Sequence, residues 1–257
     1  MKLWDCFLFN HEIEVLECRL ETLAPYVDRF VIVEATTTLQ GHTKPSYYLD
    51  NAQRFSPWKD KIVHVLEARL LDTAVLLERE KRQREATFSG VAEAAPSDMI
   101  LFGDVDEIPH PESLIALRKT PVTGFAMFPQ RFCCFAVDWQ YGDCPWYGTV
   151  VGPRSKIVSF SDMRLDRKGY PIVPGPQGWH LSWIGGREAG IRKLFSFPHP
   201  QLIEKFAAGV ASERHYREGV YIDGTKMMPI DVDATWPSYI FERRCPANWF
   251  RPRKRTR

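Results

Sequence analysis

Two aspartates at the end of an apolar segment are the residues of this sequence best suited to metal chemistry. The segment Ile100–Glu112 reads ILFGDVDEIPHPE, so that Asp104 and Asp106 follow directly on a predicted strand. On extended backbone, residues i and i+2 point to the same side, which predicts that the two carboxylates lie together while Val105 faces the core. Carboxylates with water and substrate phosphate are the ligands that Mg²⁺ and Mn²⁺ usually take.

The same two aspartates have a plainer interpretation. Asp is favoured in turns and at helix N-caps, and a helix is predicted directly afterwards, over Pro111–Lys119. The position of the pair at the end of a strand, with Glu107 beside it, favours a metal site over a simple turn. Glu107 itself is interpreted as structural.

A second candidate segment reads GWHLSWIGGREAGIRKL and covers Gly178–Leu194. A predicted strand ends at a Gly-Gly pair, which permits close approach of the backbone to a ligand. Glu188 then falls in the first turn of a helix, where its carboxylate either points into a cleft or complements the helix dipole. His180 is either a metal ligand or a buried, hydrogen-bonded histidine.

The remaining candidates each have a functional and a structural interpretation. His199, in SFPHP, resembles His180 in being either a metal ligand or a structural histidine. Arg192 and Lys193 would neutralise a diphosphate or cover the surface of their helix. Trp179, Trp183 and Trp146 would stack on a sugar or a base, or belong to the core.

The elements that must position these side chains follow from hydrophobic periodicity. Short apolar runs alternate with helical patterns in the first half, which predicts βαβ units and a mainly parallel central sheet flanked by helices, an α/β fold. Ligands bind beyond the carboxyl ends of strands in such sheets. The predicted strands are Leu3–Phe9, Arg29–Ala35, Lys61–Leu66 and Asp98–Gly103, and the predicted helices are Glu12–Leu23 and Thr73–Ala94.

The chain after Pro109 is rich in proline, glycine and aromatic residues, which predicts short strands separated by turns. The segment Asp162–Gly178 is predicted to be a mobile loop that serves as a lid. A further helix is predicted to begin near Arg187 or Glu188.

Composition and charge exclude several classes of protein. The 257 residues contain 44% hydrophobic and 26% charged residues, which excludes disorder and coiled coil and favours one folded unit. Formal charge is +2, but Arg243–Arg257 holds seven basic and no acidic residues, so the body is slightly acidic and poorly suited to nucleic acid. The sequence contains no signal peptide, no spanning segment and no CxxC pair, which predicts a cytoplasmic protein with reduced thiols. Its basic tail either touches the inner membrane surface or is a solvated end.

Five segments, taken together and in order, resemble glycosyltransferase family 17, the family of the bisecting β-1,4-mannosyl-glycoprotein 4-β-N-acetylglucosaminyltransferase. The segments are DCFLFNHEIEVLECRL, VIVEATTTLQGHTKP, QREATFSGV, ILFGDVDEIPHPE and GWHLSWIGGREAGIRKLFSFPHP, and the resemblance runs from about Asp5 to Phe206. The DVDEIP and GWHxSW blocks are the more specific ones.

The resemblance implies an A-type nucleotide-sugar glycosyltransferase fold, an inverting reaction, a UDP-sugar donor that carries N-acetylglucosamine, a glycan or lipid-linked glycan acceptor, and Mn²⁺ or Mg²⁺. It places Asp104 and Asp106 on the D-x-D motif of the family. The resulting site hypothesis has Glu188 as general base; Asn10, Glu34, Lys44, Arg84, Asp104 and Arg192 on the donor; Trp179 and Trp183 on the acceptor; and Asp104, Asp106, His180 and His199 on the metal.

The predicted organisation is a single domain over residues 1–242, followed by a basic tail over residues 243–257. Residues 1–109 form the nucleotide-sugar half of the domain and residues 110–242 form the acceptor half. Two other classes of function stay open from the residues alone. They are a metal-dependent phosphohydrolase or nucleotidyltransferase, which also places paired carboxylates at strand ends, and a non-catalytic carbohydrate-binding protein.

Overall fold

The structure is a computed structural model that describes residues 1–196, 203–204, 206–207, 210 and 214–252. Its strands are β1 (Leu3–Phe9), β2 (Arg29–Ala35), β3 (Ile62–Glu67), β4 (Met99–Asp104), β5 (Glu107–Ile108), β6 (Ala126–Met127), β7 (Gln130–Cys134), β8 (Trp139–Gln140), β9 (Val150–Pro153), β10 (Gly178–Ser182) and β11 (Met228–Pro229). Its α-helices are α1 (Ile13–Leu23), α2 (Tyr47–Asp50), α3 (Leu76–Glu85), α4 (Thr87–Gly90), α5 (Pro111–Lys119), α6 (Phe160–Leu165), α7 (Gly186–Leu194), α8 (Arg214–Glu218) and α9 (Ser238–Phe241).

The central sheet has six strands in the order β3-β2-β1-β4-β9-β6. The first four run parallel to one another, and β9 runs antiparallel to both of its neighbours. The sheet is therefore mixed. Register places Phe9 beside Glu34 and Leu8 beside Asp104, so the carboxyl ends of β1, β2 and β4 meet at one edge.

A second sheet of five strands has the order β11-β8-β7-β10-β5. Its strand β5 follows β4 after a turn of only two residues, Val105 and Asp106. Strand β10 pairs parallel with β7 and antiparallel with β5, which places His180 beside Glu107. The turn that carries Asp106 thus joins the two sheets.

Apolar packing covers both faces of the central sheet, which is why its strands are almost continuously hydrophobic. On one face, Phe7 and Phe30 pack with the apolar side of α1, including Leu16 and Leu20. On the other face, the partners of the sheet include Phe160 of α6. The two layers fix the position of α1 and α6 on opposite sides of the Asp104–Asp106 turn.

The predicted elements of the first half are confirmed in kind and nearly in extent. The bounds predicted for β1, β2 and α5 are those of the structure, and β3 and β4 are displaced by one residue. The helix predicted over Thr73–Ala94 is instead two helices, α3 and α4. Gly90 in α4 lies so close to Val31 and Val65 that a side chain there would overlap both.

The loop predicted over Asp162–Gly178 is confirmed only in part, because residues 170–177 belong to no helix or named strand whereas both ends of the segment do. Four of its residues belong to α6, whose first turn is capped by the Ser159 hydroxyl, and Gly178 begins β10. The reason is a charge that the sequence pattern does not reveal. Arg164 is buried in the molecule, where it pairs with buried carboxylates, and this contact fixes the segment.

The described part of the basic tail packs on the body. Cys245, Trp249 and Phe250 are buried in the same core as α1, and Arg251 pairs with Asp138. Residues 253–257 lie outside the described residues. Among the residues that are described, no helix is long and apolar enough to cross a membrane.

Candidate active site

The alternation of side chains predicted continuous extended backbone through Asp104–Asp106. The structure has a turn there instead. Asp104 ends β4, and its side chain is 44% exposed. Asp106 lies in the turn, with its side chain only 8% exposed. Val105 between them is buried, as predicted. The two carboxylates thus leave the same turn into different surroundings.

Glu107 and Arg164 form a buried ion pair directly behind Asp104. Arg164 donates from Nη1 to Oε2 of Glu107 at 2.6 Å and from Nη2 to Oε1 at 2.7 Å, and Nη2 also reaches Oδ2 of Asp104 at 2.8 Å. Trp146 donates its indole N–H to Oε1 of Glu107 at 2.7 Å. The structural interpretation of Glu107 fits this position, because its carboxylate is fully buried and fully occupied by donors.

The charges of this cluster act on the two carboxyl groups in opposite directions. Desolvation together with the negative charges of Glu107 and Asp106 raises the pKa of Asp104 to about 6, although Arg164 opposes the shift. Burial also acts to raise the pKa of Glu107, but the guanidinium of Arg164 holds that pKa well below its usual range. Glu107 is therefore the permanent anion of the pair.

Asp106 faces a different cation. Lys193, near the end of α7, places Nζ 3.1 Å from Oδ2 of Asp106, and His180 of β10 places Nε2 3.7 Å from Oδ1. Burial lowers the pKa of His180, so its ring is neutral near pH 7. Burial would also lower the pKa of Lys193, but Asp106 and Glu12 raise it above the usual value. Lys193 thus stays charged beside Asp106.

A buried arginine of α1 holds the backbone of the turn. Arg19 is completely buried and donates from Nη1 to the carbonyl oxygens of Asp104 at 3.1 Å, Val105 at 3.3 Å and Glu107 at 2.7 Å. Its other nitrogens bind the carboxylate of Asp5 in β1 at 2.6 and 2.8 Å. One side chain thus links β1, α1 and the turn between the two sheets.

Lys193, which pairs with Asp106, also lines a cavity of about 200 Å³. Its lining includes His11 and Glu12 at the start of α1, and Ala189, Arg192 and Lys193 of α7. Burial acts to raise the pKa of Glu12, but His11 and Lys193 lower it to about 2. The cavity therefore combines a permanent carboxylate with two cations, and it adjoins Asp106 through Lys193.

Three of the predicted donor residues meet at the carboxyl ends of β1 and β2. Glu34 is fully buried and accepts hydrogen bonds from Lys44 Nζ at 3.0 Å, Ser46 Oγ at 2.8 Å and the backbone N–H of Tyr47 at 2.6 Å. Lys44 also lies 3.5 Å from the carbonyl oxygen of Asn10. The Glu34 carboxylate is engaged in fixing this loop, so the predicted contact of Glu34 with the donor would have to displace one of these hydrogen bonds.

Arg84 lies apart from those three residues, in α3. It is buried, and Nη2 contacts Glu80 at 2.5 Å while Nη1 is 3.5 Å from the hydroxyl of Ser161. Its Nε is buried without a hydrogen-bond partner in the described part of the chain. The positive charge of Arg84 acts on Asp104, so the residue borders the aspartate cluster and not the loop around Lys44.

The two tryptophans predicted to bind acceptor are core residues. Trp179 is 4% exposed, and its ring lies 5.2 Å from that of His110 and 6.0 Å from that of Trp236. Trp183 is 5% exposed and stacks on Phe206 at 4.2 Å, although one edge borders the cavity. Nζ of Lys193 also lies over the ring of Trp183, 5.6 Å from its centroid, so both indoles already have close partners. The structural interpretation of these residues is the better one.

The remaining site predictions divide by their position. Arg192 lines the cavity, whereas Glu188 is exposed on the first turn of α7 and is absent from the cavity lining. The enclosed position expected for Glu188 is therefore not observed, because the first turn of α7 directs it to solvent. His199 lies outside the described residues.

Sequence reasoning missed Arg19, Glu12 and Arg164 as parts of the site. Arg19 had a detectable signal, since it occupies the apolar side of α1 three residues after Leu16. A charged residue at such a position must find a buried partner. The others had none, because nothing local distinguishes them from solvated surface residues.

Comparisons with known proteins give one informative match. The family model described as Glycosyltransferase family 17 matches residues 1–202. No curated protein sequence matches the chain significantly. One similar solved structure is the 4-diphosphocytidyl-2C-methyl-D-erythritol synthase from Anaerococcus prevotii, with 13% identity over 68% of this chain and 87% of that one. Its TM-score is 0.37, a likeness too weak to support any inference.

Proposed function

Because this chain belongs to glycosyltransferase family 17, we propose that it transfers N-acetylglucosamine from its UDP-sugar to a hydroxyl of a glycan, with inversion and with a divalent cation. The protein is a glycosyltransferase, which requires a sugar donor and a glycan acceptor. The observation that carries the finer proposal is the position of Asp104 and Asp106, at the carboxyl end of β4 and next to the cavity cation Lys193.

An A-type fold is part of this proposal. The order of the four parallel strands, β3-β2-β1-β4, supports it, as does the aspartate turn that follows the last of them. In sheets of this kind the ligand lies beyond the carboxyl ends of the strands, where the order of the strands reverses. Here that point lies between β1 and β4, beside Asn10 and Asp104.

The two aspartates fit a hard cation such as Mn²⁺ or Mg²⁺. The carboxylate of Asp104 is partly exposed, and within the described residues its Oδ1 accepts no hydrogen bond. No group of three His, Cys, Asp or Glu side chains suited to a metal occurs among the described residues, so water and donor phosphate would supply the other ligands. Asp104 and Asp106 would hold the cation, which when bound neutralises charge on the leaving diphosphate.

The cavity offers the donor a second source of positive charge. Arg192 and Lys193 both line it, and Lys193 is held in place by Asp106. A guanidinium and an ammonium next to each other suit the oxygens of a diphosphate, which accept charge-assisted hydrogen bonds. We place the diphosphate between these two side chains and the aspartate turn.

The proton of the attacking hydroxyl needs an acceptor, and two carboxylates compete for this role. Glu12 lines the cavity and is ionised near pH 7, whereas Glu188 is exposed outside it. Position favours Glu12 over the residue that the sequence suggested. A general base must lie within hydrogen-bond reach of the proton that it removes.

The donor proposal is tested by calorimetric titration of the protein with UDP and with UDP-N-acetylglucosamine, each with and without Mn²⁺. We expect binding that requires the metal and is lost in Asp106→Asn. The matched control is Asp60→Asn, because Asp60 is an exposed aspartate far along the chain from the turn. Equal binding by Asp106→Asn and the control would contradict the metal role of Asp106. Absence of binding in the unaltered protein would contradict the UDP-sugar donor.

Inversion is tested separately, on the product. Proton NMR of the new glycosidic bond reports its anomeric configuration, and an α-linked donor should give a β-linked product. An α-linked product would contradict the inverting mechanism and leave the donor assignment intact.

A further inference from the structure

Four aromatic side chains form a continuous wall beside the aspartate turn. The wall consists of Phe132 in β7, Tyr141 and Trp146 in the segment after β8, and Tyr221 after α8. The ring of Phe132 lies 5.6 Å from Tyr141, 5.5 Å from Trp146 and 5.9 Å from Tyr221, and the two tyrosines are 4.4 Å apart. Every member keeps part of its side chain exposed, unlike Trp179, which is buried.

The wall is rigidly supported from behind. Phe132, Tyr141 and Tyr221 pack against a small apolar cluster that includes Phe135 and Trp183. Tyr141 is also held at its hydroxyl, which donates to Asp223 at 2.8 Å. Aromatic faces that are fixed in this way lose little conformational entropy when a ligand stacks on them.

Two contacts join the wall to the aspartate turn. Trp146 donates to Glu107, the buried partner of Arg164, at 2.7 Å. The ring of His180 lies 4.7 Å from that of Phe132 and 4.8 Å from that of Trp146, and its Nε2 is 3.7 Å from Asp106. A molecule on the wall would therefore lie one side chain away from Asp106.

His180 adds a polar group that lacks a partner. The residue is 92% buried, yet its Nδ1 makes no hydrogen bond within the described part of the chain. An unpaired polar atom at such depth costs free energy, which a hydroxyl of a ligand would recover. Aromatic side chains with one unpaired polar group beside them are the usual lining of a sugar-binding or other small-molecule site.

We propose that this wall binds a pyranose ring of the acceptor glycan. The inference rests on the proposed function and names its acceptor site. The occupant is a sugar because a pyranose has one face of C–H groups, which an aromatic ring covers, and a rim of hydroxyls, which Nδ1 of His180 can bind. It belongs to the acceptor because the wall lies on the second sheet, while the donor cations Arg192 and Lys193 lie across Asp106 in the cavity.

The test measures binding of three probes, methyl α-D-mannopyranoside, methyl β-D-galactopyranoside and methyl N-acetyl-β-D-glucosaminide. Saturation-transfer NMR and titration of intrinsic fluorescence give the affinity in the absence of donor. We expect at least one probe to bind and Tyr141→Ala to weaken it roughly two- to tenfold, the effect of losing one aromatic contact. Tyr221→Leu should act in the same direction, and Tyr141→Phe should restore the affinity because it keeps the ring.

The matched control is Phe241→Ala, which removes a 44% exposed aromatic ring from α9, outside the wall. The inference is overturned if no probe binds the unaltered protein, or if Tyr141→Ala and Tyr221→Leu bind as tightly as the control. UDP binding measured on the same samples separates the two proposals. If the unaltered protein binds UDP but none of the three sugars, only the wall is overturned. If it binds a sugar but not UDP, the wall is supported and the donor proposal is overturned.

Discussion

Replacing Arg19 by methionine should destabilise the protein more than any change to a surface arginine. Methionine keeps much of the length and apolar stem of the side chain and removes the guanidinium that binds Asp5 and the carbonyl oxygens of the turn. Asp5 and Arg19 are both completely buried, so the substitution leaves a carboxylate in the core without its partner. Breaking a buried pair in this way costs about 3–5 kcal/mol.

The expected loss can be divided between its two causes with a second variant. Asp5→Leu combined with Arg19→Met removes the stranded carboxylate but still takes the Arg19 donor from the carbonyl oxygens of Asp104 and Val105, while the carbonyl of Glu107 keeps the hydroxyl of Thr149. The double variant should therefore recover part of the loss and not all of it. Each carbonyl left without a partner costs about 1–3 kcal/mol, less if water reaches it.

The assay is urea unfolding followed by tryptophan fluorescence and circular dichroism, with the slope of the transition compared between variants. The control is Arg54→Met. Arg54 also pairs with two carboxylates of α1, Glu14 and Glu17, but its side chain is 36% exposed. Exposed pairs contribute about 0–1 kcal/mol, so this variant should unfold close to the unaltered protein. A loss below about 1 kcal/mol in Arg19→Met, equal to that of the control, would refute the role given to the buried pair.

The same variant separates a positioning role from a purely structural one. Arg19 contacts the backbone of the aspartate turn, which we propose to hold the cation, so a folded population of Arg19→Met at low temperature should bind UDP with a weaker Mn²⁺ dependence. Arg19→Lys, which keeps the charge, should restore part of that dependence. A variant that is less stable but binds Mn²⁺ and UDP normally would show that Arg19 supports the fold alone.

Three further predictions concern the candidate base, the acid limb of stability and the packing of α4. Glu12→Gln should lower the transfer rate by about 10²-fold or more, whereas Glu188→Gln should change the rate by no more than a few fold. A UDP-release assay measures both rates. If Glu188→Gln is the slower variant, Glu188 and not Glu12 is the general base. Burial acts to raise the pKa of Glu34, but hydrogen bonds from neighbouring side chains lower it, so its contribution is complete above the unfolded pKa of 4.5 and is lost as the pH falls below that value. Unfolding of Glu34→Gln should consequently depend less on pH below 4.5, and an unchanged acid limb would contradict this account. Gly90→Ala should lower the free energy of unfolding by about 1–3 kcal/mol, because the new Cβ overlaps the sheet. Gly124→Ala is the control, since a Cβ there meets nothing within 4 Å. Equal melting temperatures of the two variants would contradict the packing argument.

Much of the central sheet could be predicted from sequence because its signal is local. Strands such as Leu3–Phe9 and Arg29–Ala35 are buried on both faces, and a strand buried on both faces is an almost unbroken apolar run. The antiparallel direction of β9 has no such signal, since the same short apolar run can form a parallel or an antiparallel strand. The close approach of Gly90 to Val31 and Val65 likewise has no local signal, since it depends on how α4 packs on the sheet.

The candidate site could be located from sequence but not assembled. Asp104 and Asp106 were found because they follow a recognisable strand, and parallel strands deliver their carboxyl ends to one edge. The burial of Trp179 and Trp183, the predicted acceptor residues, could not be predicted, because the sequence does not show whether the faces of an indole are covered. The aromatic wall around Phe132 shows the same limit, since its exposure depends on residues far along the chain.

The sequence by itself therefore determined the α/β character of the chain, its membership of the glycosyltransferase family and the position of the aspartate turn. Only the tertiary structure decided which charges surround that turn. Arg164 reaches Asp104 across 60 residues and Lys193 reaches Asp106 across 87. Strand formation depends on neighbouring residues, so a local pattern contains it. The partner of a buried charge depends on how distant elements pack, because desolvation makes each such charge bind whatever opposite charge the fold places beside it.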